Sequence, residues 1–168
     1  MKQAKLLPIF GILIAGISMH LSGQVLPEIT IVARNYKYLR SVDNKDVAQP
    51  VKLLEHKAAA YDIKNSDYYE DDYNTYYITF YLPQGYILAT YDSSGKIIRT
   101  AERFKNIAIP ATVKNAVAER YPKWAISKDV YQVKYQENSY TNVVYQLLLT
   151  NGNKRLKVKL DENGEFID

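Results

Sequence analysis

The sequence predicts an α+β protein built from two tandem units, each a helix followed by a four-stranded antiparallel sheet, with the units free to join into one continuous curved sheet. Three observations predict it. The chain repeats itself: Val51-Lys52 followed by Leu54, a Tyr-rich stretch and Asp92-Ser-Ser-Gly-Lys-Ile-Ile98 recur as Val113-Lys114 followed by Ala116, more Tyr, and Asp161-Glu-Asn-Gly-Glu-Phe-Ile167. Each copy opens with apolar residues at helical spacing. Each then closes with alternating strand patterns broken by Gly and Asn turns. The offset is 62 residues at the helix and 69 at the closing turn. A period above about 50 residues, present twice, describes two copies of a small domain rather than a solenoid of thin units.

The first element, residues 1–24, reads as a signal peptide. Lys2 and Lys5 precede an apolar run from Leu6 to Leu21, and Ser22-Gly23-Gln24 supplies small and polar residues for cleavage. Pro8, Gly11 and Gly16 interrupt the run, leaving it short of the roughly 20 apolar residues that span a bilayer. The other reading is an uncleaved N-terminal helix. Cleavage predicts a periplasmic or secreted protein with no stable membrane anchor, and with no Cys the chain must hold together by burial alone.

Residues 25–47 form a polar lead-in with one apolar island, Ile29 to Ala33. The run from Leu26 to Ala33 is similar to a TonB box, but a match of this length is cheap and the preferred reading is an edge strand packed on the body, because Ile, Thr and Val favour strands.

The two units span residues 48–104 and 105–168. Pro50 suits the first turn of a helix, where its missing N–H costs nothing, and Val51, Leu54, Ala58 and Tyr61 then share a face. Pro110 opens the second helix, Val113, Ala116, Val117 and Tyr121 share its face, and Pro122 stops it. In the first unit, strands are predicted over 63–69, 76–82, 86–91 and from Lys96 onward, with turns at 70–74, 83–85 and 92–95. In the second they are predicted over 128–136, 140–149, 154–160 and after the Asp161 to Gly164 turn.

Alternation assigns the faces. Leu156, Val158 and Leu160 alternate with Arg155, Lys157 and Lys159, and Ile87, Ala89 and Tyr91 alternate with Tyr86, Leu88 and Thr90. One face should meet the helices and the other water, as in an antiparallel sheet covered on one side.

The run Tyr91-Asp-Ser-Ser-Gly-Lys-Ile-Ile-Arg-Thr100, then Ile109-Pro-Ala-Thr-Val-Lys114, Tyr121-Pro122 and the closing Leu160-Asp-Glu-Asn-Gly-Glu-Phe-Ile167 resembles the PepSY-like domain family of exported Bacteroidetes proteins. It covers residues 91–168, and reaches 48–98 through the internal repeat. The resemblance implies a helix-plus-sheet fold similar to the tandem repeats of the beta-lactamase inhibitor protein, together with a binding or inhibitory role. It implies no catalytic residues.

Composition narrows the chemistry. Removing residues 1–24 takes two lysines and no acid, so the formal charge falls from +4 to +2. That is a weak basis for a polyanionic partner, and no nucleic acid is expected. Only His20 and His56 exist, which excludes the usual zinc and copper ligand sets and every triad built on a mature Cys–His or Ser–His pair beyond His56. His56 stands beside Glu55 on a helix and is expected to face solvent. The seven Gly are scattered, so no phosphate-binding loop is present. No enzyme activity, cofactor or metal is predicted.

Two features remain. The stretch Asp67-Tyr-Tyr-Glu-Asp-Asp-Tyr73 could offer carboxylates to calcium, but it lacks the alternate spacing and the Gly of an EF-hand loop and reads as a solvated hairpin tip. The other is tyrosine, 16 in all, a residue that gives large contact area at small rotamer cost. Tyr91, Tyr121 and Tyr145 alternate in step with Ile and Leu and are assigned to the core. Tyr77, Tyr81 and Tyr86 take the opposite parity and form the candidate exposed patch. The expected partner-binding set is therefore Tyr77, Tyr81, Tyr86, Leu88, Arg155 and Lys157 on the open sheet, with Tyr69 and Asp71 on the hairpin. Their expected partner is an envelope or secreted protein; the alternative is a periplasmic protein that binds a small ligand or calcium.

Overall fold

The computed structural model describes residues 35–167. The predicted signal peptide and the Ile29 to Ala33 island lie outside those residues. The described chain forms one seven-stranded antiparallel sheet with three α-helices. This corrects the expectation of two helix-plus-four-stranded units. The strands are β1 (Thr75–Leu82), β2 (Gly85–Asp92), β3 (Ile97–Lys105), β4 (Ala125–Gln136), β5 (Thr141–Asn151), β6 (Lys154–Leu160) and β7 (Phe166–Ile167). They lie side by side in chain order, and the seam between the copies, β3 to β4, runs in unbroken register from Arg99↔Gln136 to Lys105↔Val130.

The missing fourth strand of the first copy is the segment predicted over 63–69. It forms a 3-10 turn, Ile63–Asn65, because local side chains capture the backbone before a ladder can. Asp62 accepts from the Lys64 N–H, and the Ser66 hydroxyl donates to the Ile63 carbonyl.

The helices are α1 (Tyr36–Val42), α2 (Gln49–Ala60) and α3 (Ala111–Arg120). Helix α1 falls in the lead-in, where no helix is expected. Its Asn35 donates to the Gly95 carbonyl and accepts from the Ile97 N–H, tying α1 to the turn between β2 and β3. Helices α2 and α3 match the predicted spans. Pro50 sits in the first turn of α2, which buries Val51, Leu54, Glu55, Ala58 and Ala59, and α3 buries Val113 and Val117 before stopping at Tyr121.

The helices cover one sheet face and create a single core. Tyr91, Tyr131, Tyr145, Phe104, Ile87, Leu147 and Leu149 are all essentially inaccessible within it. The Tyr91 hydroxyl donates to the Ala58 carbonyl, and Tyr131 meets Tyr145 at 4.9 Å between ring centres. Tyr91 and Tyr145 are core residues as expected, while Tyr121 is half-buried against Phe166.

The duplication survives at atomic detail in the two closing turns. Asp92 N–H donates to Lys96 O and Gly95 N–H to Asp92 O, while the Asp92 carboxylate accepts from the Ser94 and Lys96 N–H groups. Asp161 repeats the pattern with Glu165, Gly164 and Asn163. Gly95 and Gly164 share a φ of 82°, in the left-handed region that the turn requires.

Candidate functional site

Strand parity sorts the candidate residues. On β1, Tyr76 and Phe80 are buried beneath the helices, which turns Tyr77, Thr79 and Tyr81 to the open face. On β2, buried Ile87, Ala89 and Tyr91 do the same for Tyr86, Leu88 and Thr90. The register sets Tyr81 opposite Tyr86, Thr79 opposite Leu88 and Tyr77 opposite Thr90. Tyr77 is 69% and Tyr81 78% exposed, against 41% for Tyr86 and 37% for Leu88, so the patch slopes from a fully projecting edge toward the sheet interior. Thr90 is buried between its larger neighbours.

Arg155 and Lys157 share this open face but lie on β6, separated from β2 by β3, β4 and β5. At roughly 4.8 Å per strand that is about 19 Å. Tyr69 stands apart from the set: it stacks on buried Tyr76 at 5.4 Å and so belongs to the helix side. Asp71 is exposed at the tip of the 66–74 loop. That loop and β1 enclose a groove of about 700 Å³ walled by Tyr61, Tyr68, Tyr73, Tyr76 and Tyr77. Among the described residues, no group of three or more His, Cys, Asp or Glu side chains could hold a metal ion, the acidic loop included. No described helix is long and apolar enough to cross a membrane. His56 is half-buried on α2.

The open face is electrostatically one-sided. Arg99, Arg103 and Lys105 on β3, Lys128 and Lys134 on β4, and Arg155, Lys157 and Lys159 on β6 all take its parity. The single acid of that parity in the strands is Asp92, at the very end of β2, whose carboxylate is held by the turn. Among the described residues, no ion pair reaches any of these cations; the salt bridges run instead from Lys37 and Lys96 to Glu137.

A second cluster, absent from the sequence-based set, lies between α2 and the sheet. Glu55 and Glu102 are 1% and 3% exposed. Glu102 Oε1 accepts from the Tyr38 hydroxyl at 2.9 Å and the Thr100 hydroxyl at 2.8 Å, while Glu102 Oε2 and Glu55 Oε1 find no partner among the described residues. Burial, then the charges of Glu102 and Asp43, raises the Glu55 carboxyl to about 9 against a lowering by Lys52. Burial raises Glu102 to about 7, held back by the Thr100 and Tyr38 hydroxyls. At neutral pH the pair therefore retains a proton, with Glu55 its holder. The repeat signals this site: at an offset of 62, Val51, Leu54 and Glu55 align with Val113, Ala116 and Val117, so Glu55 occupies an apolar core position.

No protein-family model matches the chain, and no curated protein matches it. Among solved structures, a DUF2874 family protein from Bacteroides ovatus is a distant structural neighbour, with a TM-score of 0.35 and 12% identity over 59% of this chain and 70% of that one.

Proposed function

We propose that this protein is an exported, non-catalytic binding or inhibitory module that engages an envelope or secreted protein through its open sheet face, and that it is PepSY-like in kind. The observation that carries the reading is the contiguous patch of Tyr77, Tyr81, Tyr86 and Leu88, projecting from two paired strands on the face opposite the three described helices. Rigid amphipathic side chains on a fixed scaffold bind at low entropic cost, which is why Tyr dominates contact surfaces. A patch of this composition left in water is otherwise unfavourable for a protein that must stay soluble. The matching Asp92 and Asp161 turns support the PepSY-like reading, since they belong to the segments that carry that resemblance.

The test is replacement of Tyr77, Tyr81 and Tyr86 together by Ser, followed by affinity co-purification from cells expressing the tagged chain. These side chains lie outside the core, so the circular dichroism spectrum and Tm should stay within a few degrees of the parent. A specific partner recovered with the parent should fall at least tenfold with the variant. Unchanged recovery overturns the assignment of the tyrosine patch.

A further inference from the structure

We infer that the partner docked on the open sheet face is a protein whose contacting surface is acidic with aliphatic side chains interspersed, and that its acidic groups are received by Lys128, Lys157 and Lys159. The inference rests on the open-face reading above and names the chemistry of the occupant.

Two adjacent cross-strand rows build the receiving point. Lys128 of β4 pairs with Leu148 of β5, which pairs with Lys157 of β6. One row along, Val130 pairs with Gln146, which pairs with Lys159. These side chains, with Asp129, Leu147 and Val158 of the opposite parity, line an open depression of about 300 Å³ with a predominantly aliphatic floor; the Asp129 carboxylate is buried and accepts from the Ile107 N–H. Gln146 is held in place by donating to the Gln132 side chain at 2.8 Å, so the floor is ordered while the lysines at its rim are free to reach.

The charges are unbalanced where balance is easy. Lys157 and Lys159 stand two apart on one strand, and Lys128 and Lys157 flank the same leucine. Like charges so placed repel, yet none of the three side-chain amines has an ion-pair or hydrogen-bond partner among the described residues. The repulsion is relieved when carboxylates arrive from outside, and it falls away with added salt.

The floor selects between classes of anion. A nucleic acid or sulfated polysaccharide would meet the lysines but would leave Leu148 and Val130 facing sugar and phosphate. A protein surface in which Glu or Asp neighbours Leu, Ile or Val satisfies both parts of the depression. It also suits Tyr86 and Leu88 farther along the face.

Fluorescence anisotropy on the full chain tests this, using three probes of equal charge: a labelled peptide alternating Glu and Leu, one alternating Glu and Ser, and a single-stranded thymidine oligonucleotide. The Glu-Leu peptide should bind at least threefold more tightly than either other probe. Its affinity should drop about tenfold between low and moderate salt, and at least tenfold in Lys157→Glu with Lys159→Glu. Leu148→Ser, with its charges intact, should lose at least threefold. Failure of the Glu-Leu peptide to bind, an unchanged affinity in the double variant, or equal or tighter binding of the oligonucleotide overturns the acidic-protein assignment. If the Tyr→Ser variants still abolish partner recovery, the open-face reading survives that failure. If instead the lysine variants lose the peptide while the Tyr→Ser variants keep the partner, the tyrosine patch is rejected and the lysine site stands.

Discussion

A carboxylic acid in a hydrophobic core makes the stability of this protein depend on pH in the opposite sense to an ordinary salt-bridged acid. Glu55 and Glu102 titrate at about 9 and about 7 in the fold, against 4.5 for a solvated glutamate. Between those values the folded chain holds protons that the unfolded chain has released, so stability falls as pH rises from about 4.5 through about 9 and levels off on either side. Glu55→Gln keeps the shape and removes the titration that dominates this window. The parent should lose about 5 °C or more of Tm between pH 5 and pH 9, and the variant clearly less. Parallel melting curves would reject the buried proton. At this scale the sequence was half legible. Tyr77, Tyr81, Tyr86 and Leu88 could be placed outward by parity alone, because a period of two admits one answer once Ile87 and Ala89 are inward. Tyr69 could not, since its position depends on a stack with Tyr76 that no local pattern encodes. Glu55 was readable only by comparing the copies, where its counterpart is Val117.

Among the elements, β2 and β3 approach closely at Gly85. A Cβ on Gly85 would stand 2.2 Å from the Arg103 carbonyl oxygen and 2.7 Å from the Phe104 Cα, both backbone atoms. Gly85→Ala should therefore cost about 3 kcal/mol in urea unfolding, at the upper end of overpacking penalties. Gly152→Ala meets no neighbouring atom and bears only the strain of its left-handed φ of 55°, about 1 kcal/mol. Equal losses at the two positions would contradict the close approach. Helices α2 and α3 and all seven strands follow from spacing and turn residues. The exceptions have physical reasons. Asp62, Asn65 and Ser66 divert their segment into a 3-10 turn by local hydrogen bonds, and α1, seven residues long, is anchored at Asn35 by bonds to a turn 60 residues away.

For the whole molecule, the unbroken β3–β4 register predicts one cooperative unfolding unit where the repeat suggests two. Fluorescence of Trp124, half-buried within the second copy, and far-UV circular dichroism of the entire sheet should report one coincident urea transition. Two separated transitions would restore independence to the copies. The two matching turns were legible because turn chemistry is local; the joining of the sheet was open in the sequence, because Phe104 against Tyr131 is a contact between the repeated segments that neither contains alone. Net charge hid the third property at this scale, since acids and bases cancel along the chain while the fold sends the bases to one face. The strand order has a further consequence. Each strand pairs with the one made just before it, so a chain emerging N-terminus first can extend the sheet one strand at a time, and no strand waits for a partner made later than its neighbour. Growth is vectorial, and the only raw edge that advances is the strand most recently laid down.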